Sequence, residues 1–287
     1  MANLSTAMIK DLRDRTGLGM MECKRALIAT NGDINKAIDD LRKSSGIKAA
    51  KKAGRIAADG VIALKTSEDN TYGVMIEVNT ETDFAARDDL FVSFTEDSVD
   101  KAFFADKFVF DELLLDMESA REALVQKIGE NISIRRAETL KAPVVGAYIH
   151  SNKRIGVLVA LENGNPEVAK DIAMHIAASN PQVVRPEDMP DHLVEKEKEI
   201  FIAQAKESGK SDEIIEKMIN GRISKFLSES SLINQPFVKN PDITINDLTK
   251  DSDAKILSFS RFEVGEGIEK TEVDFAAEVA AQVSAAK

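Results

Sequence analysis

The sequence is poor in residues that build covalent cross-links, metal sites and membrane spans. A single cysteine, Cys23, occurs among 287 residues, which excludes an internal disulfide and a multi-cysteine metal site. It lies in a helical pattern, where a cysteine packs as a small apolar residue. No apolar run approaches the roughly 20 residues of a membrane span, and the opening MANLSTAMIKDLRDRTG lacks the apolar core of a signal peptide. We therefore expect a cytoplasmic protein.

Catalytic signatures are also missing from the sequence. The histidines His150, His175 and His192 share no metal-ligand spacing with one another or with Cys23. There is no GxxxxGK[ST] or GxGxxG phosphate loop, no GxSxG and no HExxH. The many carboxylates form no pair that stands out from an acidic surface. We predict a protein that is not an enzyme, uses no metal or cofactor, and acts by binding another protein.

The net charge of −11 is unevenly distributed along the chain. Residues 1–55 carry 12 Lys and Arg against 6 Asp and Glu, whereas the remainder carries 26 against 43. A basic N-terminal segment followed by an acidic remainder supports one hypothesis, a nucleic-acid-binding or scaffold protein that uses the N-terminal module. The segment KSSGIKAAKKAGR has no aromatic residue for base stacking, which favours a solvated helix or linker face. We expect no direct nucleic-acid binding.

The first 44 residues predict three short helices. Ser5 and Asp33 are suitable caps for the first and third helices, and Asn31-Gly32 ends the second. The segments TGLGM and NGDINKAIDDL resemble ubiquitin-associated-like three-helix domains, a likeness of fold that does not give function. Residues 43–55 predict a basic connector.

The middle of the chain contains an internal repeat. DGVIALKT with YGVMIEV, and VGAYIHS with RIGVLVAL, predict two β-hairpins, each followed by a helix. The second strand of each hairpin contains a Gly-Val pair, Gly73-Val74 or Gly156-Val157. Two related α+β subdomains follow from this pattern. The first carries an additional helix at residues 111–128 and a strand at 132–137, and a strand at 255–264 returns to the second sheet.

Two charged helical runs follow Pro181, separated by Glu207–Ser211. They predict an antiparallel hairpin, which we interpret as a projecting coiled-coil arm. Two roles stay open for this arm: a homodimer contact between two copies of the chain, or a peripheral prop. Residues 272–283 predict a terminal helix with Phe275 on its apolar stripe.

These patterns together predict an α+β fold: a three-helix bundle, two core subdomains of antiparallel sheet plus helices, an inserted coiled-coil hairpin and a C-terminal helix. The predicted divisions are 1–55 for the N-terminal domain and linker, 56–141 for the core N-subdomain, 142–180 with 229–264 for the core C-subdomain, 181–228 for the hairpin, and 265–287 for the C-terminal module.

The stretch YGVMIEVNTETDFAARD, residues 72–88, is the most distinctive in the chain. It opens as a strand in which β-branched residues on one face alternate with Met75, Glu77 and Asn79 on the other. A polar run then predicts the start of a helix. Thr80 paired with Asp83, or Asp83 itself, is the expected cap.

Phe84 comes next, in the first helical turn. Its neighbours three and four residues later, Arg87 and Asp88, are charged, so its own helix offers no apolar side chain for the ring to pack against. Two interpretations follow from the residues alone. Either the ring tucks under the helix start as a staple, or Asp83 and Phe84 form a protruding wedge that a partner protein receives. The buried stripe of the following helix is predicted at Leu90, Phe91 and Phe94.

Several motifs resemble those of bacterial translation elongation factor Ts, in that family's order and over nearly the whole chain. They are TGLGMMECKRAL, NGDINKAIDDLRKS, IKAAKKAGRIAADGVI, YGVMIEVNTETDFAARD, KIGENISIRR, IAMHIAASNP, QPFV and RFEVGEGIEKTEVDFAAEVAAQ. The resemblance implies a guanine-nucleotide exchange factor that binds the GDP form of elongation factor Tu, loosens the nucleotide and Mg²⁺, and lets GTP enter. It favours the wedge interpretation of Phe84.

The resemblance also implies which residues contact the GTPase. The family's wedge loop matches Thr82, Asp83, Phe84 and Ala85, with the ring expected between two helices of the GTPase domain and Asp83 disturbing the Mg²⁺ environment. Ala85 replaces a branched residue that is common in the family, so we expect the loop to pack less tightly. Residues 95–117 match less well, are rich in Phe, and receive no functional assignment.

Further contacts are implied wherever residues match the family. The matching positions are Arg13, Met20, Met21 and Lys24 against the GTPase domain, Ile128 and Gly129 near its phosphate-binding region, His150 and Val238 against a distal β-domain, and Phe275 with Ala276 in the terminal module. Helical spacing cannot place Met20 and Met21 on one face, so we expect one of them to be exposed. Lys239 stands where a relative has an apolar residue.

Overall fold

The computed structural model describes residues 4–206 and 212–269 and has the predicted α+β class. The helices are α1 (Thr6–Thr16), α2 (Met20–Ala29), α3 (Ile34–Lys52), α4 (Asp83–Ala86), α5 (Asp89–Phe103), α6 (Phe110–Ile128), α7 (Pro166–Ser179), α8 (Asp191–Lys206), α9 (Asp212–Ser230) and α10 (Ile245–Asp251). The strands are β1 (Asp59–Thr66), β2 (Tyr72–Thr80), β3 (Ile132–Lys141), β4 (Val144–Ile149), β5 (Ile155–Leu161), β6 (Pro236–Phe237), β7 (Asn240–Thr244) and β8 (Ile256–Glu263).

The first three helices enclose a small core of their own. It contains Leu12, Cys23 and Leu27, so the cysteine packs as expected. The basic segment expected to be a connector is mostly the second half of α3. It stays helical because its small residues Ser45 and Ala49 are buried, and α3 packs against α6.

Each half of the internal repeat forms a three-stranded antiparallel sheet with its second strand in the middle. The strand orders are β1-β2-β3 and β4-β5-β8. The repeat therefore extends to a third strand that comes from later in the chain in each case. Helices α5 and α6 cover the first sheet and α7 covers the second.

The two sheets pack face to face through a shared core that includes Ile62, Met75 and Leu158. Each of the two repeated glycines lies against a side chain of the opposite sheet. A Cβ at Gly73 would lie 2.8 Å from Leu158 Cδ2, and a Cβ at Gly156 would lie 2.8 Å from Met75 Sδ. The Gly-Val pairs of the sequence therefore mark the positions at which the two sheets touch.

Gly156→Ala should lower the free energy of unfolding by about 1–3 kcal/mol, the usual effect of overpacking a dense core. The added methyl carbon would lie 2.7 Å from Ile62 Cγ2, and Ile62 is itself buried. Gly221→Ala in α9 is the matched control, because a Cβ there meets nothing within 4 Å and alanine favours a helix by about 1 kcal/mol over glycine. Chemical denaturation measures both variants. Equal stabilities for Gly156→Ala and the wild type would contradict the packing argument.

Some elements differ from the prediction. The short strands β6 and β7 and the helix α10 were not foreseen, although Thr244 and Asp247 form a complete capping box before α10. Leu90, expected in the buried stripe, is 48% exposed, whereas Phe91 and Phe94 are buried. The buried face of α5 begins at Phe91 and continues through Phe94, so Leu90, one residue earlier, points away from it.

The two helices after Pro181 are present as α8 and α9 and pack against each other. Arg222 of α9 donates to Gln204 Oε1 of α8 at 2.6 Å and lies over the ring of Phe201. The connection at Glu207–Ser211 and the predicted terminal helix with Phe275 and Ala276 lie outside the described residues. Within the part of the chain that the structure describes, none of the helices is long and apolar enough to cross a membrane.

Candidate protein-binding surface

The turn between β2 and α5 is capped by a residue other than the two expected. Thr82 has extended backbone angles (φ −126°, ψ 158°), and its Oγ accepts a hydrogen bond from the Ala85 amide at 3.2 Å. The prediction of Thr80 or Asp83 as the cap is wrong. Thr80 is the last residue of β2, and its hydroxyl donates to Glu130 at 2.9 Å instead.

Phe84 projects from this turn into solvent. Its side chain is 80% exposed, whereas the next two residues, Ala85 and Ala86, are buried. The staple interpretation is therefore wrong. An aromatic ring with two rotatable torsions on a short helical turn is a surface that a partner can bury at little entropic cost.

Asp83 stands beside the ring with its carboxylate partly exposed. It forms an ion pair with Arg87 at 2.9 Å, one helical turn later. Both side chains face solvent, and such exposed pairs contribute about 0–1 kcal/mol. The carboxylate is therefore available to an approaching cation at small energetic cost.

The turn is attached to the loop that follows α6. Glu130 Oε2 accepts from the Thr82 amide at 2.9 Å, and Glu130 Oε1 accepts from the Thr82 hydroxyl at 2.7 Å. Glu81 Oε1 in turn accepts from the Asn131 amide at 2.6 Å. Sequence reasoning missed Glu130 as a residue of the site, and no local pattern signals it because its partners lie 48 and 50 positions away.

The same loop contains two of the predicted contact residues. Gly129 ends α6 with a left-handed backbone (φ 89°), the conformation that favours glycine. Ile128 precedes it and is half-buried. The carbonyl of Gly129 accepts a hydrogen bond from Lys52 at the end of α3, so the loop is joined to the N-terminal helices.

The predicted N-terminal contact residues Arg13, Met20, Met21 and Lys24 are all exposed. We expected one of the two methionines to be exposed; both are, Met20 at 50% and Met21 at 65%. Both lie in the first turn of α2, before its buried positions begin at Cys23. Two lysines of the basic N-terminal segment, Lys48 and Lys52, already bind Glu22 and the Gly129 carbonyl, which weakens the nucleic-acid hypothesis.

His150 and Val238 are brought together at the far end of the second sheet. Both line an open cavity of about 650 Å³, with Met174 and Lys239 among the other lining residues. His150 is exposed, and Val238 is 46% exposed. Lys239, the departure from the family pattern, forms an ion pair with Asp171 at 2.5 Å.

His175, which sequence reasoning left without a role, supports this surface from beneath. It is fully buried; its Nδ1 accepts from the Val238 amide at 3.2 Å, and its Nε2 lies 3.0 Å from Gln235 Oε1. This pairing requires Nε2 to carry the proton. Burial lowers the pKa of His175 despite the opposing hydrogen bond to Gln235, so the neutral ring holds the segment that presents Val238.

Comparison with known proteins gives a consistent result. A family model described as elongation factor TS matches residues 81–266. The chain is 60% identical over 286 residues to elongation factor Ts of Hahella chejuensis, covering 99% of both chains. It is 60% identical over 291 residues to the protein of that name from Teredinibacter turnerae, covering 99% of this chain and 98% of the relative. It is 58% identical to that of Azotobacter vinelandii over 290 residues, covering 100% of both.

Proposed function

This chain belongs to the elongation factor Ts family, and from that premise we propose how it acts on its partner. It is a guanine-nucleotide exchange factor for the translational GTPase elongation factor Tu. In our proposal it binds the GDP form, inserts Phe84 into the GTPase domain, and promotes GDP release and GTP loading. The observation that carries the proposal is the 80% exposed ring on a turn whose next two residues are buried.

The proposal assigns separate tasks to the two residues of the wedge. The ring of Phe84 would leave water for a cleft between two helices of the GTPase, and burying a phenylalanine side chain contributes about 1.5–3 kcal/mol. The carboxylate of Asp83 would disturb the ligands of the partner's Mg²⁺, since carboxylate oxygens are themselves Mg²⁺ ligands. Thr82 and Ala85 hold the turn that presents both side chains.

Exchange then follows from linkage between two ligands of one protein. A factor that binds the nucleotide-free GTPase more tightly than the GDP form must lower the affinity for GDP by the same ratio. No bond of this chain is made or broken, so it acts without catalytic residues of its own. GTP displaces the factor by the same reciprocity.

We further propose that the remaining predicted residues form additional contacts with the GTPase. Arg13, Met20, Met21 and Lys24 would meet the GTPase domain together with Ile128 and Gly129, and His150 and Val238 would meet a distal β-domain. These sets suit that role because their side chains are exposed, apart from the half-buried Ile128 and the backbone of Gly129. Phe275 is proposed as a contact of the terminal module.

The predicted organisation of the chain is part of the proposal. We propose that residues 1–55 form a ubiquitin-associated-like domain and that residues 56–141 and 142–264 form two core subdomains, the second interrupted at 181–228. The pair α8 and α9 would be a coiled-coil arm. Sedimentation of the chain with and without residues 190–230 distinguishes a homodimer contact from a peripheral prop.

The experiment that tests the function uses elongation factor Tu loaded with labelled GDP. Addition of this chain should accelerate release of the label, and an excess of unlabelled GDP should weaken binding of the chain by the same factor as the chain weakens GDP. Release at the uncatalysed rate, with both proteins folded, would contradict the proposal.

A further inference from the structure

The wedge turn and the loop after α6 run side by side beyond the end of the sheet that joins them. The ladder between β2 and β3 ends at the pair Thr80 and Ile132. Past that pair, side chains take over the linking. Glu81 accepts from the Asn131 amide, and Glu130 accepts from the hydroxyl of Thr80 at 2.9 Å.

Glu130 is the centre of this connection. Its two carboxylate oxygens accept three hydrogen bonds, from the Thr80 hydroxyl and from the amide and hydroxyl of Thr82, at 2.7–2.9 Å. Hydrogen bonds to a charged acceptor are roughly twice as strong as those between neutral groups.

Thr82 connects Glu130 to the wedge turn. Its hydroxyl donates a hydrogen bond to Glu130 and accepts one from the Ala85 amide. Because the hydroxyl hydrogen points toward the carboxylate, a lone pair of the oxygen faces the start of the helix. The orientation of the cap sets the orientation of the four-residue helix α4. Phe84 is its second residue, so the direction of the ring depends on this pair of hydrogen bonds.

The other side of the loop is fixed to the N-terminal helices. The side-chain amide of Asn131 donates to the Arg55 carbonyl at 2.8 Å, and Asn131 is buried. Lys52 donates to the Gly129 carbonyl. The wedge turn, the loop at 129–131 and the end of α3 are thus one hydrogen-bonded unit.

We propose that Glu130 is a positioning residue for nucleotide exchange, which holds the turn so that Phe84 meets its partner already oriented. The inference rests on the proposed role of Phe84. A ring on a loosened turn would have to be ordered in the step that expels GDP, and pre-organisation removes that entropic penalty. The proposed contacts on the N-terminal helices and at His150 and Val238 do not involve Glu130, so its loss should slow the maximal rate of exchange more than it weakens binding.

The test is a double-mutant cycle on the full-length chain, read as the maximal rate of labelled GDP release at saturating factor. Glu130→Ala should slow release about fivefold when Phe84 is present and by less than about 1.5-fold in the Phe84→Ala background, because residues that act through one another are not additive. The factor concentration giving half-maximal release should change less than about twofold. Glu130→Gln, which keeps the size but offers one acceptor oxygen, should give an intermediate rate, and it carries the cycle if Glu130→Ala does not fold.

Glu138→Gln is the matched control. Glu138 is an exposed carboxylate on β3, in the same sheet as the wedge strand, and its replacement should leave the rate unchanged. If Phe84→Ala slows release but Glu130→Ala slows it equally in both backgrounds, or not at all, Glu130 has no positioning role. If Phe84→Ala itself releases GDP at the wild-type rate, the proposed function fails and this inference fails with it.

Discussion

Phe84→Ala should release labelled GDP from elongation factor Tu at least roughly tenfold more slowly than the wild-type chain, which corresponds to about 1.4 kcal/mol of lost coupling. The ring is 80% exposed in the free chain and therefore contributes little to its own fold. Exposed substitutions usually change stability by less than about 0.5 kcal/mol. A slower rate would consequently report a contact with the partner rather than damage to the factor.

Phe104→Ala is the control for this variant. Phe104 is also a phenylalanine at a helix end and is 70% exposed, but it follows α5, in the Phe-rich segment that received no assignment. Its replacement should leave the release rate within about twofold of the wild type, as expected for a residue outside the contact. Equal effects of the two variants would show that the assay responds to any exposed ring and would remove Phe84 from the mechanism.

Glu77→Ala should be strongly destabilising, lowering the free energy of unfolding by about 3–5 kcal/mol. Glu77 lies in the middle of β2 and is fully buried. Its carboxylate accepts hydrogen bonds from Arg135 at 3.0 Å, Arg136 at 2.6 Å and the Gly265 amide at 2.8 Å. Removing it takes the buried carboxylate from both guanidinium groups, although Arg136 keeps its ion pair with Glu266, and it breaks the link between the first sheet and the segment after β8.

The same carboxylate predicts a loss of stability in acid. Burial alone would raise the pKa of Glu77, but hydrogen bonds from the Gly265 amide, Arg136 and Asn79 outweigh it and hold the pKa below its ordinary value of 4.5. A carboxyl with a lowered pKa in the folded state stabilises the fold above its unfolded pKa, and that contribution is lost as the pH falls through the folded pKa. The wild-type unfolding free energy should therefore decrease from about pH 4.5 downward.

Glu77→Gln isolates this contribution, because the amide cannot titrate. Denaturation between pH 7 and pH 3 should show a shallower acid slope for Glu77→Gln than for the wild type. An unchanged slope in Glu77→Gln would mean that the buried carboxylate is not charged in the folded protein.

The local elements of this fold could be predicted because their signals are local. The helix predicted at residues 111–128 ends at Ile128, and Gly129 caps it. The internal repeat predicted two related hairpins, and the Gly-Val pairs lie where the hairpins meet. Fold class and repeat follow from such patterns, whereas the residues around Phe84 left the staple and the wedge both open and the family resemblance favoured the wedge.

What the sequence could not indicate depends on distant partners. Glu77 and Asn79 alternate with the β-branched residues of β2, and the sequence pattern alone does not show that both are buried. Glu77 is tolerated there because Gly265, 188 positions later, and two arginines of β3 satisfy it. The cap at Thr82 was missed for the same reason. The hydroxyl of Thr80 donates to the distant Glu130 and is therefore not available to cap the helix.

Tryptophan fluorescence tests the central claim most directly, because the chain contains no tryptophan of its own. The emission of Phe84→Trp, after subtraction of the partner's emission in the wild-type complex, should shift to shorter wavelength on binding nucleotide-free elongation factor Tu and return when excess GDP dissociates the complex. Phe104→Trp should keep the emission of a solvated indole throughout. A Phe84→Trp chain that forms the complex while its indole stays in water would contradict the account.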